Sequence, residues 1–287
     1  MELLVQLPDL QTLDVRVERR IATVTIDNGP INLMDERLLR ELDQLVRWLS
    51  KQGDSVRVVI FQSAVPDFFL AHLDLGLIQA LVDDPDPGPA LEIFQGLVAR
   101  YSQLDQVTIA KVSGRVGGGG NEFLLNLDLR FAVRGSAVFN QFETGLGLIP
   151  AGSGSQHLPR LLGRGRALEV ILGHDDFDAD IAERYGWVNR ALDEKSIDGF
   201  IDRLASRIAI QPLWLIAAAK RAADALLPSF EYGLELEREV SRAAIEAPES
   251  QALMADFLAR GGQTESGERR LGDLVGELTA SESPPSF

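Results

Sequence analysis

Four consecutive glycines, Gly117 to Gly120, run directly into Asn121 and Glu122, and a second carboxylate, Glu143, follows 21 residues later. The run joins an apolar stretch, Val107 to Val112, to an apolar segment from Glu122 to Leu127 that reads as a helix starting near Asn121. Glycines at such a junction let backbone N–H groups approach a ligand, and a helix start adds partial positive charge, so the pattern suits an oxygen that carries or gains negative charge. A phosphate loop needs Gly-Lys-Ser/Thr at the end of the run, where this chain has Gly-Asn-Glu. A dinucleotide fingerprint needs a third glycine at the fifth position after the first; from Gly117 that position is Glu122, and from Gly118 it is Phe123. A carboxylate there repels phosphate but can serve as acid or base beside a developing oxyanion. The plain alternative for Glu122 is compensation of a helix dipole, and spacing alone does not bring Glu143 to it.

Other chemistries lack their residues. Cysteine is absent, which removes disulfides, thiolate metal sites and cysteine nucleophiles and leaves the redox compartment undecided. The three histidines, His72, His157 and His174, have no ligand spacing, so no metal is expected. Ser153 and Ser155 sit outside any Gly-x-Ser-x-Gly elbow, and Gly152-Ser153-Gly154-Ser155 reads as a tight turn into the next helix.

The elements that must position these residues follow from periodicity. Residues 13 to 27 form two alternating runs around Glu18-Arg19-Arg20, a hairpin signal. From Met34 to Leu49 an apolar stripe of Leu38, Leu42, Leu45 and Leu49 predicts a helix with Asp35 as its N-cap. Val56 to Phe61 is a near-continuous apolar run of strand length suited to a sheet covered on both faces, and Leu129 to Val133 is a further strand. A helix is expected from Gly88 to Leu104, preceded by a proline-rich acidic loop at 83–89. Strands alternating with helices give an α/β class, and helical periodicity dominates from about Pro159 onward. The expected division is an α/β core over residues 1–190 and a helical assembly region over 191–287, with a disordered tail at 281–287. At 287 residues, 45% hydrophobic and 25% charged, the composition is that of a globular protein. Its 28 basic against 43 acidic side chains, a net charge of −15, disfavour a nucleic-acid partner. The short acidic amino terminus and the lack of any run near the ~18 apolar residues of a membrane span predict a cytoplasmic protein with no membrane partner.

The stretch from Gly114 to Asp128, followed by Phe139-Asn140-Gln141-Phe142-Glu143 and by Gly145 to Gln156, strongly resembles the enoyl-CoA hydratase/isomerase (crotonase) family. Upstream, Phe68-Phe69-Leu70-Ala71-His72-Leu73-Asp74-Leu75 looks like that family's Phe-x-Ala-Gly-Ala-Asp-Leu motif, and the order of elements agrees over residues 13 to 260. The resemblance implies a crotonase-like spiral of repeated ββα units with a C-terminal helical region that forms trimers or hexamers. It implies an acyl-CoA substrate and no cofactor, coenzyme A being part of the substrate. Carried over, it makes the backbone N–H groups of Leu73 and Gly119 an oxyanion hole and Glu122 and Glu143 the catalytic pair, with Glu143 as principal proton donor and Glu122 as the group that positions and activates water. Ala71, His72, Asp74, Gly118, Phe142 and Gly145 fall in the same motifs and are expected at the substrate, while Asp74 and Asp128 also read as hydrogen-bonding or capping residues.

The function implied is hydration of a 2-enoyl-CoA; isomerisation, decarboxylation, C–C hydrolysis or silent acyl-CoA binding are the alternatives. His72 stands where the family has glycine and Leu73 where it has alanine. A histidine there is strained if φ is positive, and could hold a substrate oxygen or simply pack. Phe142 replaces a proline and Asn121 a small residue. Phe68, Phe69, Phe139 and Phe142 are candidates for an acyl pocket or for plain core.

Overall fold

The computed structural model describes residues 8–80, 88–224 and 230–278. The two β-branched runs pair as an antiparallel hairpin, β1 (Leu13–Glu18) and β2 (Ile21–Ile26). Arg19 and Arg20 turn it with positive φ of 50° and 66°, the twist that a two-residue hairpin loop requires. Asp35 caps α1 (Glu36–Leu49), its carboxylate accepting from Leu38 N–H at 2.9 Å, and Leu38, Leu42, Leu45 and Leu49 are buried as the stripe predicts.

From there the chain winds between two sheets. β3 (Val58–Ser63) enters the first and β4 (Phe68–Leu70) the second, followed by α2 (Leu75–Gln79) and α3 (Gly88–Ser102). β5 (Val107–Val112), β6 (Arg115–Val116) and α4 (Gly118–Leu125) make the next turn, and β7 (Leu129–Val133) and β8 (Val138–Phe139) begin another. α5 (Gly154–Leu162), α6 (Arg164–Gly173), β9 (Phe177–Asp178), α7 (Ala179–Tyr185) and β10 (Arg190–Leu192) complete it. The first sheet has the order β1-β2-β3-β5-β7-β10, parallel from β2 onward, and the second has β4-β6-β8-β9. The turns that start at β3, β5 and β7 each leave one strand in each sheet before their helices, the ββα spiral expected. Val58 to Phe61 are buried on both faces because helices cover the parallel sheet.

α8 (Glu194–Ala209), α9 (Leu213–Asp224), α10 (Phe230–Glu246), α11 (Pro248–Ala259), α12 (Glu265–Glu268) and α13 (Leu271–Gly276) follow. The expected division at 190/191 falls inside β10, which pairs with β7, so the main sheet continues two residues beyond it. Helical structure also begins earlier than expected, at Gly154, with Pro159 carried inside α5. Most of the loop expected at 83–89, and the tail at 281–287, lie outside the described residues. Among the described residues no helix is long and apolar enough to cross a membrane.

Candidate active site

α4 starts at Gly118, three residues before the expected Asn121, so the glycines form its first turn. A methyl group on Gly120 would stand 2.5 Å from Leu70 O, and one on Gly119 2.9 Å from Leu73 Cβ. The run therefore lets the helix start press against the chain leaving β4, where Gly117 N–H donates to Ala71 O at 3.0 Å. Being in the first turn, Gly119 N–H has no acceptor within the helix. Met34 N–H donates to His72 O at 2.9 Å, so the Leu73 N–H across that trans peptide points the opposite way. The position of a Gly119 methyl would be 3.3 Å from Leu73 N, which sets the two residues side by side, and both line a cavity of about 640 Å³. Phe94, Leu97, Leu146, Leu148 and Ile245 give the same cavity an apolar wall.

Glu122 and Glu143 line this cavity too. Glu122 is buried, and its Oε1 accepts from Gly152 N–H at 2.7 Å and Gly154 N–H at 2.8 Å. Glu143, at the start of a 3-10 turn (Glu143–Leu146), accepts at Oε1 from Gln141 Nε2 at 2.7 Å, while its solvent-shielded Oε2 has no partner. Burial pushes the Glu122 carboxyl well above the usual range, reinforced by the nearby Glu143 and Glu237 and opposed by the two N–H bonds. Burial also raises Glu143, to about 7. Glu143 is near enough to add to the rise at Glu122, so the protonation of one depends on that of the other. The two N–H bonds oppose a proton at Glu122 without offsetting its burial, and the unpartnered Oε2 of Glu143 leaves that carboxyl a place for a proton.

A one-directional relay fixes that arrangement. Trp187 Nε1–H, which can only donate, hydrogen-bonds to Asn121 Oδ1 at 2.9 Å. Asn121 Nδ2 must then donate to Gln141 Oε1, and Gln141 Nε2 to Glu143 Oε1. Glu143 is thereby held as an acceptor at Oε1. A third carboxylate, Glu237 of α10, accepts from Ser153 N–H at 2.7 Å, Gln95 Nε2 at 3.1 Å and the Ser155 hydroxyl, and burial raises it to about 7. The loop Gly152–Ser155, with Ser153 at φ 84°, thus gives alternate N–H groups to Glu122 and Glu237.

His72 has no positive φ, so the anticipated strain does not arise. Its ring lies buried against Phe142 and Phe257 and bonds to Leu73 O at 2.8 Å and Glu268 Oε1 at 3.1 Å. Gly118 and Phe142 line the cavity beside it. Ala71, Asp74 and Gly145 are not among its lining residues: Ala71 O holds Gly117 N–H, Asp74 caps α2 through Gly76 N–H, and Gly145 packs on Val275. Asp128 is structural, accepting from Thr108 and Lys220 at 2.8 Å. Phe68, Phe69 and Phe139 belong to the core, and of the four aromatics considered only Phe142 reaches the cavity. Ser153 Oγ accepts from Asn126 Nδ2, and Ser155 serves Glu237. Glu237 and Glu268 were not singled out from sequence; Gln141, two residues before Glu143, lies in a motif that carried the resemblance but was given no role.

The family profile described as Enoyl-CoA hydratase/isomerase matches residues 16–262. A protein of Escherichia coli (strain K12) named 1,2-epoxyphenylacetyl-CoA isomerase is 28% identical over 251 residues, 85% of this chain and 94% of its own. The short-chain-enoyl-CoA hydratase of Clostridium acetobutylicum is 28% identical over 216 residues, 75% of this chain and 81% of its own. Among solved structures, a protein from Streptomyces avermitilis described as a candidate enoyl-CoA hydratase superposes with a TM-score of 0.83 at 38% identity, over 93% of this chain and 98% of that one.

Proposed function

The chain belongs to the enoyl-CoA hydratase/isomerase family, and within it we propose that it is a lyase that hydrates the 2,3 double bond of an enoyl-CoA thioester. The observation that carries this reading is one cavity lined both by two buried carboxyls, Glu122 and Glu143, and by Leu73 and Gly119, two residues packed against each other. With the thioester oxygen between the N–H groups of Leu73 and Gly119, addition of water at C3 places enolate charge on that oxygen, and each donor stabilises it by about 3 kcal/mol. Glu122 takes a proton from water as its oxygen bonds to C3, and Glu143 delivers its own proton to C2. The pair holds one proton before and after the step, and exchange between the two carboxyls restores the starting state. No cofactor beyond the coenzyme A of the substrate enters this scheme.

The test is a panel of 2-enoyl-CoAs followed by loss of the conjugated thioester absorbance in ¹⁸O water. Label at C3 of the product, with unlabelled starting thioester, is the expected result. Consumption of a CoA thioester without label uptake would reject hydration and favour isomerisation. That second reading is supported by the name of the Escherichia coli relative. Assembly as a homotrimer or hexamer is part of the proposal, supported by Ile210, Trp214 and Leu215 on and before α9, which are 74%, 70% and 41% exposed. Light scattering is expected to give three or six times 31.4 kDa; a single-chain mass would reject assembly.

A further inference from the structure

His72 and Glu268 bring together two parts of the chain that share no element. His72 follows β4, and Glu268 ends α12, past residue 262 where the family match stops. Their side chains are 2% and 0% exposed. The partners of the ring define its state. Leu73 O can only accept, so Nδ1 carries a proton, and a carboxylate at Glu268 Oε1 requires a second proton on Nε2. Glu268 Oε1 also accepts from Gln263 N–H at 2.7 Å, as a carboxylate does. Each holds the other's charged form against burial, His72 above and Glu268 below its ordinary pKa, which favours an imidazolium and a carboxylate; Glu268 Oε2 is buried without a partner.

This pair grips the peptides around Leu73. Met34 N–H holds the carbonyl before it, His72 Nδ1–H holds the carbonyl after it, and Asp74 N–H donates to Met34 O at 3.1 Å. Leu73 N–H points away from Met34, and Leu73 lines the cavity. Behind the ring, Phe142 and Phe257 close the site, and Leu271 and Val275 of α13 pack in the same cluster. With both nitrogens engaged, the ring has no donor for a substrate oxygen.

We propose that His72 and Glu268 are positioning residues of this site, a buried imidazolium–carboxylate clamp that locks the C-terminal segment onto the strand presenting Leu73 N–H and turns its positive end toward Glu143. The catalytic part of this inference rests on the hydratase reading above. The charged groups that face the pair are Glu143 on the ring side and Arg115, itself bound to Asp176, on the carboxylate side. Glu268 holds the imidazole above its ordinary pKa despite burial, and the imidazolium in turn opposes the rise of Glu143. Losing the imidazolium therefore raises Glu143 further.

The test is Glu268→Gln, with His72→Gln as a second variant should the first fail to fold. Histidine ring resonances labelled with ¹⁵N are read in the wild type and in Glu268→Gln, and kcat, KM and pH profiles in both variants. In the wild type one of the three rings titrates above the ordinary histidine range, and in Glu268→Gln its midpoint falls. Either variant lowers kcat by about ten- to a hundredfold with little change in KM, and moves the alkaline limb about one pH unit higher. A neutral His72 ring in the wild type overturns the clamp whether or not the protein hydrates enoyl-CoA. Wild-type kcat and an unmoved limb in a folded variant, when the wild type turns over, overturn the positioning role. A wild type that turns over no enoyl-CoA overturns the hydratase reading instead, and the ring resonances then decide the clamp.

Discussion

Replacing Glu143 by glutamine is expected to lower turnover of an enoyl-CoA by about 10²–10⁴-fold, and Glu122→Gln by a similar factor, with circular dichroism unchanged. Glutamine at 143 keeps the shape and can still accept from Gln141 Nε2, so the relay from Trp187 stays intact and only the exchangeable proton is lost. Stability supplies a second readout. Burial raises Glu143 to about 7 in the folded protein, against about 4.3 for a free glutamate, so the native state binds its proton more tightly than the unfolded chain. That contribution is fully present below the unfolded value and is lost as pH rises through 7. The wild type therefore loses stability between about pH 4 and pH 8, and Glu143→Gln removes part of that loss. Its Tm relative to wild type should be higher at pH 8 than at pH 5. Wild-type turnover in both glutamine variants would remove the mechanism, and a Tm difference independent of pH would remove the buried, protonated Glu143.

Residues near each other in sequence were the easiest to read. The hairpin around Arg19 and Arg20, the Asp35 cap and the apolar stripe of α1 follow from local periodicity and cap chemistry. The pairing of the glycine run with Leu73 was implied by a motif, but its cause lies in packing: Gly119 and Gly120 have no room for a methyl group against Leu73 and Leu70. Glu237 and Glu268 were invisible for a different reason. Periodicity can say which face of α10 is covered, not that a carboxylate on it meets the N–H groups of a loop more than eighty residues upstream. Likewise His72 offered three readings in isolation. Its actual one, a buried ring with both nitrogens bonded, exists only because α12 brings Glu268 to it. The aromatic residues show the converse error, since Phe68 and Phe139 stand in or beside site motifs and still belong to the core.

Gly119→Ala should damage turnover by pressing a methyl group against the segment that carries Leu73. Its Cβ would lie 2.9 Å from Leu73 Cβ, 3.3 Å from Leu73 N and 3.3 Å from Phe94 Cζ. Gly119 is not among the positive-φ residues, so alanine is compatible with its own backbone and the cost comes from displacing its neighbours. The neighbour that must move is the segment presenting Leu73 N–H, which Met34 and the His72 ring hold from behind. Strain of about 1–3 kcal/mol is expected, and movement of either partner spoils the side-by-side placement of the donors. Turnover should fall by about 10²–10³-fold, the cost of losing one donor to an oxyanion, and by more than the loss in affinity for an unreactive saturated acyl-CoA. Gly96→Ala is the matched control: its added methyl, on α3, meets only Arg100 Nη1 at 3.9 Å, so it should leave turnover unchanged. Equal losses in turnover and in saturated-thioester binding would mean that the methyl group merely blocks the cavity. A loss confined to turnover would tie the rate to the placement of Leu73 and Gly119, because only the enolate-like state demands both donors at full strength.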